Sequence, residues 1–290
     1  MAIATTQPIA PTRNTPDMRE ANQEQPFRAV YHYAFVTDSV EGLIAVNIDT
    51  LADGEFRNNF FERTLTWNPD NVLKGARHIT LAGDFAYITA DAGLVVVRLA
   101  DNPPANAPRD FDYSKLNPQL MAVLPLNDAR ASAVQFRYLW VTDADGIKLF
   151  DITRLEAPVA VPSGTVRLAD ARKLYLARTF AYVAAKQDGL VIIDMTNPEA
   201  PREYMRYNAG GVLNDAEDVI VGSTNATLFA YVADGRNGMK VLQLTSPSSQ
   251  PNFYGFSPDP RPDLIAWART PSAALAVAKG LDRDRGVDES

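Results

Sequence analysis

Apolar positions along this chain fall in short paired runs, not on a helical period. Five runs of six residues align: Tyr33-Ala-Phe-Val-Thr-Asp, Phe85-Ala-Tyr-Ile-Thr-Ala, Tyr138-Leu-Trp-Val-Thr-Asp, Phe180-Ala-Tyr-Val-Ala-Ala and Phe229-Ala-Tyr-Val-Ala-Asp. Each is followed within a few residues by a glycine, at Gly42, Gly93, Gly146, Gly189 and Gly238. Each glycine opens a second apolar run, such as Leu94-Val-Val-Val-Arg-Leu or Leu190-Val-Ile-Ile-Asp-Met. Both runs are rich in β-branched and aromatic residues with turn formers between them. The pattern predicts a β-hairpin whose glycine takes a positive φ.

The hairpin recurs about every 50 residues, and a repeat of that length governs the whole reading. From the second repeat onward a third element precedes the hairpin: Gly75-Ala-Arg-His-Ile, Asp128-Ala-Arg-Ala-Ser, Asp170-Ala-Arg-Lys-Leu and Asp215-Ala-Glu-Asp-Val. A fourth follows it, as in Arg202-Glu-Tyr-Met-Arg-Tyr. Four short antiparallel strands per repeat make a propeller blade, and the continuously apolar hairpin strands suit sheets covered on both faces. The predicted fold is an all-β propeller of four-stranded antiparallel blades over residues 27–262, with five repeats detectable. A sixth blade is expected if residues 251–290 and the N-terminal arm assemble one. The first repeat lacks a clear first strand, and Asp263-Leu-Ile-Ala-Trp-Ala is the candidate to supply it.

The ends read differently. Residues 1–26 hold four prolines and no apolar period, which predicts a flexible arm, with a short helix over Asp17–Gln25 as the alternative. Residues 263–290 read as a strand, then a short C-terminal helix, then a charged tail. Thr270 as N-cap, Pro271 in the first turn, an alanine-rich run and Gly280 after Lys279 are the helix signals.

The fourth repeat, Gly189-Leu-Val-Ile-Ile-Asp-Met-Thr-Asn-Pro-Glu-Ala-Pro after Ala181-Tyr-Val-Ala, resembles the LVIVD repeat of bacterial and archaeal surface or secreted proteins. The likeness spans residues 33–247. It is looser in the first repeat, where Asp49-Thr-Leu-Ala-Asp replaces the Asn-Pro step, and in the fifth, where Gln243 replaces the aspartate. The resemblance implies a β-propeller and an extracytoplasmic setting, periplasmic or at the cell surface. Some relatives accompany multihaem cytochromes, which makes such a cytochrome, or self-assembly, the implied partner. It implies no particular activity.

Composition narrows the function classes. The chain has 290 residues, 46% of them hydrophobic, enough for a substantial core. With a net charge of −7 and both signs interspersed, it offers no basic face for nucleic acid. The absence of cysteine excludes disulfides, thiolate metal sites, cysteine nucleophiles and covalently attached c-type haem. Apolar runs are strand-sized and the first residues lack a basic and an apolar region, so neither membrane insertion nor an export signal is expected in this chain.

Candidate chemistry is sparse. The third residue of each first strand, Arg77, Arg130, Arg172 and Glu217, would face the axial channel of a propeller. A ring of three guanidiniums and a carboxylate there is the candidate binding site for a small anionic ligand; the alternative is that these residues pair with carboxylates and carbonyls of adjoining blades. Asp38, Asp143 and Asp234 occupy one repeated turn position. Asp143-Ala-Asp145-Gly resembles a calcium turn but supplies too few oxygens, which favours turns capped by their own side chains. Asp282-Arg-Asp284-Arg-Gly286-Val-Asp288 reads as a solvated tail, and Asn225-Ala-Thr227 as a chance glycosylation sequon. His32 and His78 are not spaced as ligands of one metal site. No nucleophile elbow, Walker loop or dinucleotide fingerprint is present. The repeated aromatics Phe35, Tyr87, Trp140, Tyr182 and Tyr231 read as packing.

These observations lead to one expectation: a non-enzymatic propeller scaffold for protein–protein interaction within a larger extracytoplasmic assembly, with no catalytic residue, cofactor or metal. The alternative is a propeller enzyme or anion binder with its site at the axial channel.

Overall fold

The computed structural model describes residues 2–4, 15–224, 227–248 and 255–279. Its sheets follow the repeats. The first has the order β1 (Ala2–Ala4), β2 (Tyr33–Asp38), β3 (Gly42–Asn47), β4 (Glu62–Trp67), and the second β5 (His78–Ala82), β6 (Phe85–Ala90), β7 (Gly93–Arg98), β8 (Gln119–Leu124). In the third, β9 (Ala131–Gln135), β10 (Tyr138–Asp143) and β11 (Gly146–Asp151) are followed by two short pieces that share the outer position, β12 (Val159–Ala160) and β13 (Val166–Arg167). The fourth runs β14 (Leu174–Ala177), β15 (Phe180–Ala184), β16 (Leu190–Asp194), β17 (Arg202–Tyr207). The fifth runs β18 (Asp218–Thr224), β19 (Thr227–Ala233), β20 (Met239–Gln243), β21 (Asp263–Ala268). The fold is all-β, built from five antiparallel sheets of blade type.

The chain divides into two compact units, Met1–Val141 with Phe150–Ala160, and Thr142–Leu149 with Val161–Ser290. In the first unit one core joins the first two sheets around Phe35, Leu43, Ile88 and Val95, and a second gathers Tyr87, Val96, Leu139 and Phe150. In the second unit the fourth and fifth sheets close on Tyr182, Ile192, Leu213, Val219, Ala230 and Leu242. The middle strands of the second, third and fourth sheets are buried along nearly their whole length, those of the first and fifth sheets mix buried and half-buried positions, and the outer β4, β8, β17 and β21 have no buried residue. Continuous apolar runs thus mark strands covered on both faces, and mixed runs mark the outer strand. Phe35, Tyr87, Trp140 and Tyr182 are all fully buried, as their period implied, while Tyr231 is half-buried. The alanines before each predicted arginine or glutamate, Ala76, Ala129, Ala171 and Ala216, are equally buried.

Three expectations for the ends change. The arm of residues 1–26 is not free of the sheets: Ala2, Ile3 and Ala4 pair antiparallel with Thr37, Val36 and Phe35 and supply the missing first strand. A helix, α1 (Pro16–Asn22), follows, with the Thr15 hydroxyl accepting from the Met18 amide. Asp263–Ala268 is the outer strand of its own repeat, paired with β20, and does not serve the first repeat or a sixth blade. The C-terminal helix does not form over the described residues 270–279. Ala274 instead exchanges both backbone hydrogen bonds with Gly235, at 2.9 and 3.0 Å, and the Val277 amide donates to Asp218 Oδ2 at 3.0 Å. Backbone groups spent on the fifth sheet are unavailable for the i to i−4 ladder. The sequon at Asn225 and the tail at 282–288 lie outside the described residues.

Among the described residues no helix is long and apolar enough to cross a membrane.

Candidate functional site

The first strands of the second, third and fourth repeats are entered through a sharp backbone reversal. Gly75, Asp128 and Asp170 occupy equivalent positions, and all three take a positive φ, of 72°, 55° and 56°. Glycine tolerates this region freely and aspartate better than most residues, which explains the exchange of Gly for Asp in the repeat. A buried alanine and then the predicted site residue follow, so the fold aligns Arg77, Arg130, Arg172 and Glu217 at one register of their repeats; they lie at the entry to β5, β9, β14 and β18, just before each strand, and not as its third residue.

In the first unit, Arg77 reaches Asp91 of its own hairpin turn at 2.7 Å, Asp128 of the next repeat at 2.5 Å and the Ala129 carbonyl at 3.0 Å. Arg130 Nε donates to the other oxygen of Asp128 at 3.0 Å. Burial works to raise the Asp128 carboxyl, but the Arg130 hydrogen bond and the two guanidinium charges outweigh it and hold the pKa below its ordinary value.

In the second unit, Arg172 pairs with Asp170 at 2.9 Å and approaches Glu217 at 4.0 Å. Glu217 accepts from Lys186, which also donates to Asp215 Oδ1 at 2.7 Å. The other Asp215 oxygen takes the Arg236 backbone amide at 3.0 Å and its Nε at 3.3 Å. The Lys186 hydrogen bond, followed by the Arg236 amide, brings the Asp215 pKa down to about 2. Burial would lower the Lys186 pKa, but its two carboxylate partners raise it. Above this network opens a cleft of about 430 Å³ lined by Asp170, Lys186, Asp188, Asn214, Asp215 and Arg236.

The structure therefore brings Arg77 and Arg130 together over one shared carboxylate, and Arg172 and Glu217 together beside Lys186. The guanidiniums spend donors on Asp91, Asp128 and Asp170. Arg172 Nε is buried without a hydrogen-bond partner among the described residues. Sequence reasoning missed Asp91, Lys186 and Arg236. All three sit in the hairpin turns, and their alternating charge opposite the first-strand residues was the available signal.

Two of the repeated turn aspartates cap their own turns: Asp38 Oδ1 accepts the Val40 and Glu41 amides, and Asp143 Oδ1 accepts the Asp145 amide, whereas Asp234 Oδ1 accepts the amide of the distant Asp215 at 2.7 Å. Among the described residues no group of three or more histidines or carboxylates is arranged to hold a metal ion. His32 Nδ1 lies 2.8 Å from Asp49, and His78 Nδ1 accepts the Ser132 amide.

No curated protein matches the chain in sequence. Among solved structures it is similar to a proposed 6-phosphogluconolactonase of Bacteroides fragilis, at 11% identity and a TM-score of 0.57, over 85% of this chain and 70% of the other. A proposed 6-phosphogluconolactonase of Bacteroides uniformis gives 14% and 0.55, over 82% and 68%. A chain of the nidogen/laminin complex gives 11% and 0.51, over 86% and 82%. At such identities the likeness establishes a propeller-type fold and nothing about chemistry. The family model of the LVIVD repeat matches residues 75–101, 169–209 and 215–256, which lie in the second, fourth and fifth of the five sheet-forming repeats, and the chain therefore carries LVIVD repeats at these three segments.

Proposed function

We propose that this chain is a non-enzymatic scaffold that binds a protein partner outside the cytoplasm, as one part of a larger assembly. The observation that carries the reading is the loop between β3 and β4. It exposes Phe56, Phe60 and Phe61 at 86%, 63% and 64% of their surface, three phenylalanines within six residues. Asp53 holds the loop in shape by accepting from the Glu55 amide at 2.8 Å and the Asn58 side chain at 2.7 Å, while the Thr50 hydroxyl donates to the Phe60 carbonyl at 3.2 Å. Clustered aromatic side chains on an ordered loop are the composition of a protein-binding surface, and they cost hydration while uncovered. The ion-paired first-strand residues support the same reading, since structural pairing accounts for them. A chain of the nidogen/laminin complex with a similar fold offers an analogy for protein binding.

A photo-crosslinking residue in place of Phe60, introduced in the native cells, tests the proposal. The expected result is a discrete crosslinked partner, or a second copy of this chain, which disappears when Phe56 and Phe61 are changed to serine while thermal stability is kept. A crosslinking pattern indifferent to the loss of these two phenylalanines would sink it.

A further inference from the structure

The second repeat carries a long connection between its third and fourth strands. Between β7 and β8 the chain takes residues 99–118, where the fourth repeat needs only 195–201. Long structured insertions on a regular scaffold are where binding sites concentrate. This one forms a cleft of about 650 Å³ within the first unit, walled by Arg28, Arg98, Asp101, Phe111, Tyr113 and Lys115. That volume suits a small organic molecule.

The polar groups of the cleft are not balanced. Asp101 is already occupied: Asn117 donates to one oxygen at 2.7 Å and Gln119 to the other at 2.9 Å. The wall residue Asp112 accepts from both the amide and the hydroxyl of Ser114, at 2.9 and 2.6 Å. The cations retain donors. Arg98 gives one terminal nitrogen to Gln119 and stands 3.7 Å from Asp101, but its buried Nε has no hydrogen-bond partner among the described residues. Lys115 is exposed and has no ion pair or hydrogen bond among them. Arg28 is fixed between Asp84 and the Asp101 carbonyl, at 2.8 and 2.7 Å, and adds its charge from the side. Beside these donors stand the rings of Phe111 and Tyr113, packed edge to face at 4.8 Å. Capped carboxylates, spare cationic donors and an aromatic wall together make a receptor for negative charge on an apolar body.

We propose that this cleft binds a small organic anion, a carboxylate or phosphate group carried on an aromatic or apolar frame. The group would sit between Arg98 and Lys115, and the frame against Phe111 and Tyr113. The site is separate from the first-strand arginines and from the phenylalanine loop, so it stands or falls independently of the scaffold reading.

Calorimetric titration of the full chain with benzoate, acetate and inorganic phosphate tests it. Benzoate is expected to bind saturably and acetate about tenfold more weakly, because acetate lacks the frame. Phosphate binding at least as tightly as benzoate would place the recognition in the charge, and weaker phosphate binding would place it in the aromatic frame; either supports the site. Lys115→Gln and Tyr113→Leu, both at partly or fully exposed positions, should each weaken benzoate about five- to tenfold. Arg130→Met should leave benzoate affinity unchanged. No saturable binding of any probe up to about 10 mM, or binding indifferent to both cleft variants, would overturn the proposal.

Discussion

Lys186 ties the fourth repeat to the fifth through Asp215, its ammonium 2.7 Å from Oδ1 while the two segments exchange backbone hydrogen bonds alongside, Lys186 with Ala216. The carboxyl is held at about 2 against an ordinary 3.8, so the folded chain favours its ionised form more than the unfolded chain does. The pairing therefore adds stability that is fully present above about pH 4 and is lost as pH falls towards 2. The shift corresponds to about 2 kcal/mol. Urea unfolding of the wild type and Asp215→Asn should differ by that amount near neutral pH, with the gap closing at about pH 2 to 3. A gap that stays constant with pH would assign the loss to packing instead.

A second pair in the same unit lies deeper. Asp234 and Lys240, 3.6 Å apart, have side chains 0% and 4% exposed, and Asp234 Oδ2 makes no hydrogen bond among the described residues. Burial raises the Asp234 pKa. Removing one partner strands the other, so Asp234→Ala should cost about 3 kcal/mol, and adding Lys240→Met should recover much of it. Denaturant unfolding of the two single variants and the double variant measures the coupling; strictly additive costs would mean the charges do not interact.

Gly189 takes a φ of 72°, and a Cβ there would lie 2.5 Å from the Tyr207 carbonyl oxygen and 3.0 Å from Asn208 Cα. Gly189→Val should destabilise by about 2 to 3 kcal/mol from backbone strain and this clash together. An unchanged melting temperature would contradict the turn geometry.

The N-terminal strand gives the arm, expected to be flexible, a place in the first sheet. Deleting residues 1–24 exposes the edge of β2, whose Thr37 and Phe35 are fully buried. A loss of about 1 to 2 kcal/mol is expected, with a greater tendency to associate through the freed edge. Thermal melts and sedimentation of the truncated chain check both, and a stable monomer with an unaltered melt would show that β1 contributes nothing.

The blades were legible because a strand covered on both faces must be apolar throughout, as Leu94–Val97 and Leu190–Ile193 are, and because the hairpin demands glycine at one fixed place. Ala2-Ile-Ala4 was not legible: three residues carry no period, and their pairing with Val36 is set by contacts over thirty positions away. At the other end, Thr270-Pro271 and the alanines after it carry genuine helical propensity, which the bonds of Ala274 to Gly235 and of Val277 to Asp218 override. In the candidate site the spacing located Arg77 and Arg130 but not the carboxylates of Arg77, because Asp91 belongs to a turn and Asp128 to the next repeat.

Those carboxylates decide what the first-strand arginines do. Arg130 is mostly buried and shares Asp128 with Arg77, so Arg130→Met leaves Asp128 one guanidinium and should cost about 1 kcal/mol. Arg77→Met removes the bonds to Asp91, Asp128 and the Ala129 carbonyl together and should cost about 2 to 3 kcal/mol. Combined with Asp128→Ala, both effects should shrink, since the partner is gone in advance; this non-additivity is the signature of a shared carboxylate. An anion-binding ring gives the opposite outcome: removing one guanidinium from a cluster of like charges relieves repulsion, stability stays within about 0.5 kcal/mol, and affinity for phosphate or small carboxylates at this site falls. Unfolding free energies of the three single and two double variants, measured beside a phosphate titration of Arg130→Met, separate the two. The pairing seen around Asp128 predicts lost stability with anion affinity unchanged.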